Sequence, residues 1–223
     1  AATVSDGHKG PGDGAGKQAE AGQAGACLKE EGEAEKQKIG EERGAETDAL
    51  VVGDEIADES IAAEGKLSLD LLQRFGDDLL EVVAFLESEG IAHRDIKPDN
   101  LGVRRRGKND VVHLVLYDFS LSSAPVEQVR AGTPHYLDPF LGERRPPRWD
   151  IAAERYAAGV TLYQMATGVL PRWGDGTSDP MLLDDALPQL EADLFEPALR
   201  DDLLAFFQLA LQRDPTRRFD TAT

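Results

Sequence analysis

Residues 93–100 read His-Arg-Asp-Ile-Lys-Pro-Asp-Asn, and Asp118-Phe119-Ser120 follows eighteen residues after Asn100. Each of these residue types has a separate chemical use. The Asp95 carboxylate can accept a hydroxyl proton, and Lys97, two residues on, carries a compact charge suited to a phosphate oxygen. The Asn100 amide oxygen and the Asp118 carboxylate are hard donors of the kind magnesium prefers. The set fits in-line phosphoryl transfer, which needs an oriented hydroxyl, a proton acceptor and neutralised phosphate charge.

Such groups work only if flanking elements hold them. Upstream, Leu72, Phe75, Leu79, Val82, Val83 and Leu86 recur at helical spacing and Gly90 ends the run, which predicts an amphipathic helix leading into the loop. Downstream, Leu101-Gly102-Val103 and the run from Val111 to Tyr117 are β-rich, with a turn-like stretch from Arg104 to Asp110 between them. This predicts a hairpin with Asn100 at one end and Asp118 at the other.

The catalytic-loop motif, with Asp118-Phe119 at the right distance, resembles the protein-kinase family, and the placement of Lys97 resembles its serine/threonine branch. Three further segments match in family order. The stretch Ala131-Gly132-Thr133-Pro134-His135-Tyr136-Leu137-Asp138-Pro139-Phe140 resembles the substrate-binding end of an activation segment. Tyr156 to Gly168 resembles the buried central helix of the large lobe. Asp214-Pro215-Thr216-Arg217-Arg218 resembles the turn before that lobe's last helix.

The resemblance implies ATP and Mg2+ as cofactors and a protein as substrate. It assigns Asp95 as base, Lys97 as phosphate contact, Asn100 and Asp118 as magnesium ligands, and Thr133 as a positioner bonded to Asp95 and Lys97. His93 and Phe119 are expected to stack in a hydrophobic spine. Arg94 either receives an activation-loop phosphate or is held by local backbone and carboxylate contacts.

Several positions depart from the family pattern. Ser120 replaces a glycine, and its Cβ restricts the torsions available there. Phe140 replaces a glutamate, so Arg218 is expected to lose its buried partner. Glu154 stands where the central helix normally begins with aspartate, keeping the charge with one more methylene. The short stretch from Asp118 to Phe140 limits modification to Ser122, Ser123 and Thr133. The segments from Gly65 to Leu72 and from Tyr117 to Ser122, with Gly132-Thr133-Pro134 and Leu137 to Gly142, are also similar to bacterial kinase domains joined to helicase-like regions in phage-defence systems. That likeness implies helicase-like regions elsewhere in a parent protein.

Composition bounds these expectations. With 42 acidic against 24 basic residues, the formal net charge of −18 argues against a general nucleic-acid or anionic-membrane binder. The basic clusters at Arg104–Arg106 and at Arg144, Arg145 and Arg148 read as a solvated turn and loop, the alternative being a contact for an acidic partner. Cys27 is the only cysteine, which excludes an internal disulfide and points to a reducing, cytoplasmic setting. The longest apolar stretch, Ala157 to Leu170, is interrupted by Gln164 and falls short of the ~20 residues of a membrane span.

Residues 1–46 are rich in Gly, Ala, Glu and Lys and contain no aromatic residue, the composition of a disordered acidic segment. The run Gly10-Pro11-Gly12-Asp13-Gly14-Ala15-Gly16-Lys17 is not a phosphate loop: Pro11 and Gln18 stand where glycine and a hydroxyl are needed, and no apolar strand precedes it. Ala49-Leu50-Val51-Val52 is strand-like and lies where the family expects the interlobe hinge. Lys29, Lys36 and Lys38 sit among Glu and Gln, not on a β-run.

The expected fold is therefore α+β: a kinase-like C-terminal lobe over residues 47–223, mainly helical, with a small catalytic-loop hairpin and the small lobe largely missing. The expected activity is serine/threonine protein phosphorylation. As the chain lacks an initiator methionine and stops at Thr223, it reads as a fragment with little turnover by itself. The alternative is a non-catalytic, pseudokinase-like interaction module.

Overall fold

The computed structural model describes residues 66–106 and 110–222. The segment expected to be disordered, residues 1–46, and the strand-like run at Ala49–Val52 lie outside them.

Helix α1 spans Leu69–Ser88 and buries Phe75, Leu79, Val83 and Leu86 along one stripe. That 4-4-3 spacing keeps the four side chains on one face of a 3.6-residue helix. Gly90, at φ 66°, turns the chain out of it, a left-handed conformation that costs glycine nothing. The hairpin follows as β1, Leu101–Arg106, paired antiparallel with β2, Val111–Leu116, from Leu101 opposite Leu116 to Arg106 opposite Val111. Arg104–Arg106 thus belong to the strand and not to the turn expected from their composition. Cross-strand pairing outweighs the weak turn preference of three arginines, of which Arg105 and Arg106 stay exposed.

Helix α2, Ile151–Thr167, packs against α1, and thirteen of its residues are buried. A helix apolar around its whole circumference has to lie inside a core. Asp150 caps its first turn by accepting from the Ala153 amide at 3.0 Å, and Gly168, at φ 77°, closes its last. Gly159 lets α3, Arg200–Ala210, approach, since a Cβ at 159 would stand 3.2 Å from the Leu211 side chain. Tyr163 packs edge-on against Phe195 and Phe207.

Polar ties fix the hairpin and the catalytic loop to these helices. Asp78 of α1 accepts from the Leu114 amide of β2 at 2.7 Å and lies 3.1 Å from His113 Nδ1. Arg155 of α2 pairs with Glu87 of α1 at 2.6 Å. Among the described residues the architecture is a mainly helical lobe with one two-stranded antiparallel sheet, as the α+β expectation required. No helix among the described residues is long and apolar enough to cross a membrane.

Candidate active site

The chain leaves α1, passes through the loop at 91–97, makes a short 3-10 turn at Pro98–Asn100 and enters β1. Ile96, fully buried, pins this loop into the core, and Thr161 of α2 bonds its carbonyl at 3.3 Å. The residues on either side of Ile96 are thereby held facing outward.

Four of the five predicted site residues meet in one hydrogen-bonded cluster. Asp95 Oδ1 accepts from the Thr133 amide at 2.9 Å and from its hydroxyl at 2.7 Å. Asp95 Oδ2 accepts from Asn100 Nδ2 at 3.0 Å and lies 2.9 Å from Lys97 Nζ. Lys97 Nζ also donates to Thr133 Oγ1 at 2.8 Å. Burial would raise the Asp95 carboxyl, but the bonds from Lys97, Thr133 and Asn100 outweigh it and hold it below the usual carboxylate range. Its hydrogen bond to Asp95 in turn raises the Lys97 ammonium. The pair is therefore fully charged at neutral pH.

Asp118, the fifth residue, arrives from the end of β2, where the Tyr117 amide bonds the Asn100 carbonyl at 3.0 Å and brings the two hairpin ends together. Asp118 adopts φ 64° and keeps an exposed carboxylate, with Oδ1 only 3.3 Å from the Ser120 amide. The Asn100 amide nitrogen is committed to the Asp95 carbonyl and carboxylate, which leaves its oxygen as the atom able to take a cation. No cluster of three or more His, Cys, Asp or Glu side chains forms a ready-made metal cage among the described residues. One amide oxygen and one exposed carboxylate suit magnesium, which keeps waters and phosphate oxygens as its remaining ligands.

His93 is fully buried and stacks edge-on with Phe119 at 4.6 Å. Burial lowers its pKa, and the neutral ring donates from Nε2 to the Tyr117 carbonyl while Nδ1 accepts the Asp95 amide. Arg94 follows the local alternative: Nη1 donates to the Pro125 carbonyl at 2.9 Å, and the guanidinium lies 5.7 Å from the Trp149 ring centre. Gly132, at φ 134°, places Thr133; a Cβ there would meet the Arg94 carbonyl at 2.5 Å. Ser120 avoids positive φ, so its Cβ carries no strain in this conformation.

Glu154 does what a shorter carboxylate would have to do. From the first turn of α2 it accepts the Arg94 amide at 2.9 Å, the His93 amide at 3.2 Å and the Trp149 indole N–H at 2.8 Å. Burial pushes its pKa up to about 7, against the pull of those three donors.

Two further expectations are overturned. Arg218 does not lose its buried carboxylate: Asp138, two residues before Phe140, accepts from Arg218 Nη1 at 2.6 Å, and both side chains are sealed from solvent. Arg144, expected in a solvated loop, is also mostly buried and bridges Asp138 at 2.6 Å and Asp150 at 2.8 Å. Burial opposes its charge, but the two carboxylates raise its pKa further. Phe140 fills the vacated position with contacts to Trp173, edge-on at 4.8 Å, and to the Arg213 guanidinium, 4.6 Å from the ring centre. Sequence reading missed Asp138, Arg144 and Trp149 as supports of the site. The available signal was a carboxylate within the same motif, two positions from the substitution.

Residues 48–223 match the protein kinase domain family model. The chain is 51% identical over 158 residues to the probable kinase PglW of Streptomyces coelicolor, across 70% of this chain and 10% of that protein. It is 33% identical over 128 residues to CBL-interacting protein kinase 1 of Oryza sativa subsp. japonica, across 54% of this chain and 26% of the relative. With serine/threonine-protein kinase AtPK1/AtPK6 of Arabidopsis thaliana it shares 30% over 162 residues, covering 70% and 32%. The matched part spans a tenth to a third of the length of these relatives.

Proposed function

Because this chain belongs to the protein kinase family, we propose that its residues carry out transfer of the ATP γ-phosphoryl group to serine or threonine hydroxyls of a protein substrate. The observation that carries this reading is the closed cluster of Asp95, Lys97, Thr133 and Asn100. The depressed Asp95 carboxyl orients the acceptor hydroxyl and takes up its proton as the new bond to phosphorus forms. Four donors surround Asp95 in the present state, which fills its lone-pair directions. An entering hydroxyl therefore displaces one of them. Lys97 is the donor that yields, since its flexible stem swings to a phosphate oxygen while Thr133 and Asn100 hold the carboxylate in place.

Asn100 and Asp118 are the residues that hold magnesium in this reading, through the amide oxygen and the exposed carboxylate. The bound ion neutralises charge on the phosphates. We assign residues 47–223 to the kinase domain and 1–46 to a segment outside it, supported by the family match from residue 48. We extend the reading to a cytoplasmic protein, supported by the single cysteine, and to a parent polypeptide carrying helicase-like regions, supported by the subfamily resemblance.

The test is transfer of label from γ-labelled ATP to protein serine or threonine by the native protein containing these residues, with magnesium. Asp95→Asn is expected to abolish transfer, and chelation of magnesium to stop it. Absence of transfer from the folded native protein across varied protein substrates sinks the proposal.

A further inference from the structure

The turn that follows Asp118 is gripped by its backbone. The Pro125 carbonyl accepts from Arg94 Nη1 at 2.9 Å and from the Gln128 amide at 3.0 Å, which uses both of its lone pairs. The next carbonyl, that of Val126, accepts the Trp149 amide at 2.7 Å. The side chains of Pro125 and Val126 are exposed, so the grip falls on main-chain oxygens. Val129 adds an apolar anchor by packing against the buried cluster of Leu141, Trp149 and Ala153. The Ala131 amide then closes the turn on the Gln128 carbonyl at 3.1 Å. Gly132 and Thr133 come next, so this turn delivers Thr133 to Asp95.

Arg94 is the centre of the grip. It is 3% exposed and lays its guanidinium 5.7 Å from the ring centre of the buried Trp149. The face of the indole offsets part of the cost of desolvating that charge, and the bond to the Pro125 carbonyl offsets more. Trp149 therefore acts on the turn twice: its amide bonds Val126, and its ring backs the arginine that bonds Pro125. Its indole N–H is fixed in turn by Glu154 at 2.8 Å.

The turn has no place for a phosphate. Residues 124–132 contain no serine, threonine or tyrosine, and the hydroxyls between Asp118 and Thr133 are Ser120, Ser122 and Ser123, all ahead of the turn. Ser122 Oγ already donates to the Phe119 carbonyl at 2.8 Å. A phosphate on any of these serines would have to open the turn to reach so deeply buried a guanidinium, and would break the bond to Pro125 that helps place Thr133. We infer that Arg94 and Trp149 form a backbone latch that holds Pro125–Ala131 in working position without modification, so that phosphoryl transfer does not await phosphorylation of this segment.

The transfer clause rests on the proposed kinase activity; the latch itself does not. The test uses the native protein containing these residues, freed of phosphate by a broad-specificity phosphatase and checked by mass. Hydrogen exchange at its Trp149 and Gln128 amides is expected to be slow, and no slower in protein first incubated with Mg-ATP and then freed of nucleotide. Arg94→Met, which keeps the length of the side chain but cannot donate, is expected to speed exchange at Gln128 by about tenfold or more. Fast exchange at both amides in the phosphate-free protein, or protection that appears only after Mg-ATP, overturns the latch, and the wild-type measurement decides it even if Arg94→Met fails to fold. For transfer, the phosphate-free protein and the double variant Ser122→Ala, Ser123→Ala are expected to start without a lag, at rates within about twofold of untreated protein. Arg94→Met is expected to lose about tenfold in kcat with the KM for ATP unchanged. A lag, or a loss of about tenfold or more that autophosphorylation restores, overturns the independence from phosphorylation, and an undiminished kcat in Arg94→Met overturns the latch's part in transfer. Absence of transfer in every form instead defeats the kinase reading, and the exchange pattern still decides the latch.

Discussion

Arg218 donates to Asp138 across eighty residues of sequence, Nη1 to Oδ2 at 2.6 Å, where neither side chain reaches solvent. Arg144 reaches the same oxygen from the other side. One carboxylate thus stabilises two guanidiniums and ties the activation segment to the turn at Pro215–Arg217. Removing it leaves buried positive charge without compensation, the costly half of breaking an internal ion pair. Asp138→Ala is expected to lower unfolding free energy by about 3–5 kcal/mol, read from urea denaturation; a loss under about 1 kcal/mol refutes the arrangement.

Phe140 is not a vacancy waiting for a glutamate. Its ring is fully buried between Trp173 and Arg213, and Arg213 is already paired with Glu143. Phe140→Glu is therefore expected to destabilise by roughly 3 kcal/mol or more, because a carboxylate there is desolvated without a free partner. Phe140→Ala should cost a similar amount through the cavity it opens. Thermal denaturation of both variants checks this, and a glutamate variant as stable as wild type contradicts it.

Thr133 bonds Asp95 twice and Lys97 once, so its loss should affect turnover more than folding. Thr133→Val is expected to reduce kcat by about 10- to 100-fold with little change in the denaturation midpoint. Gly132→Ala should do at least as much damage, since its Cβ would collide with the Arg94 carbonyl and displace the cluster. Unaltered kcat in either variant refutes the cluster's role.

Two carboxyls impose opposite pH dependences on stability. Glu154, raised from 4.5 to about 7, contributes stability that is fully present below pH 4.5 and is lost as pH rises through 7, roughly 3 kcal/mol in all. Asp95, depressed below 3.8, contributes stability present above that value and lost as pH falls through its folded pKa. The melting temperature is therefore expected to drop between about pH 4.5 and about pH 7, and the drop should shrink in Glu154→Gln. An equal drop in both proteins shows that another group is responsible.

The loop chemistry was legible because it depends on residue type and short spacing. Asp95, Lys97 and Asn100 lie within six residues, and Asp118 is returned to them by a hairpin whose apolar pattern was visible. The helix before the loop showed its buried stripe, with Phe75, Leu79, Val83 and Leu86 among the predicted positions. The strand limit at Arg106 was less legible, because an arginine triplet carries little preference and cross-strand pairing decided it.

What the sequence by itself determined is the set of groups proposed to react and the local elements that present them, since i to i+4 and alternate-residue patterns are properties of short segments. Only the tertiary structure decided the long-range partners: Asp138 for Arg218, Arg144 between Asp138 and Asp150, and Glu154 beneath His93 and Arg94. Ion pairing falls off over a few ångströms and burial changes a carboxyl's preferred protonation state. Both quantities exist only after distant segments have packed, which is why one carboxylate two positions from its expected place can neutralise an arginine eighty residues away.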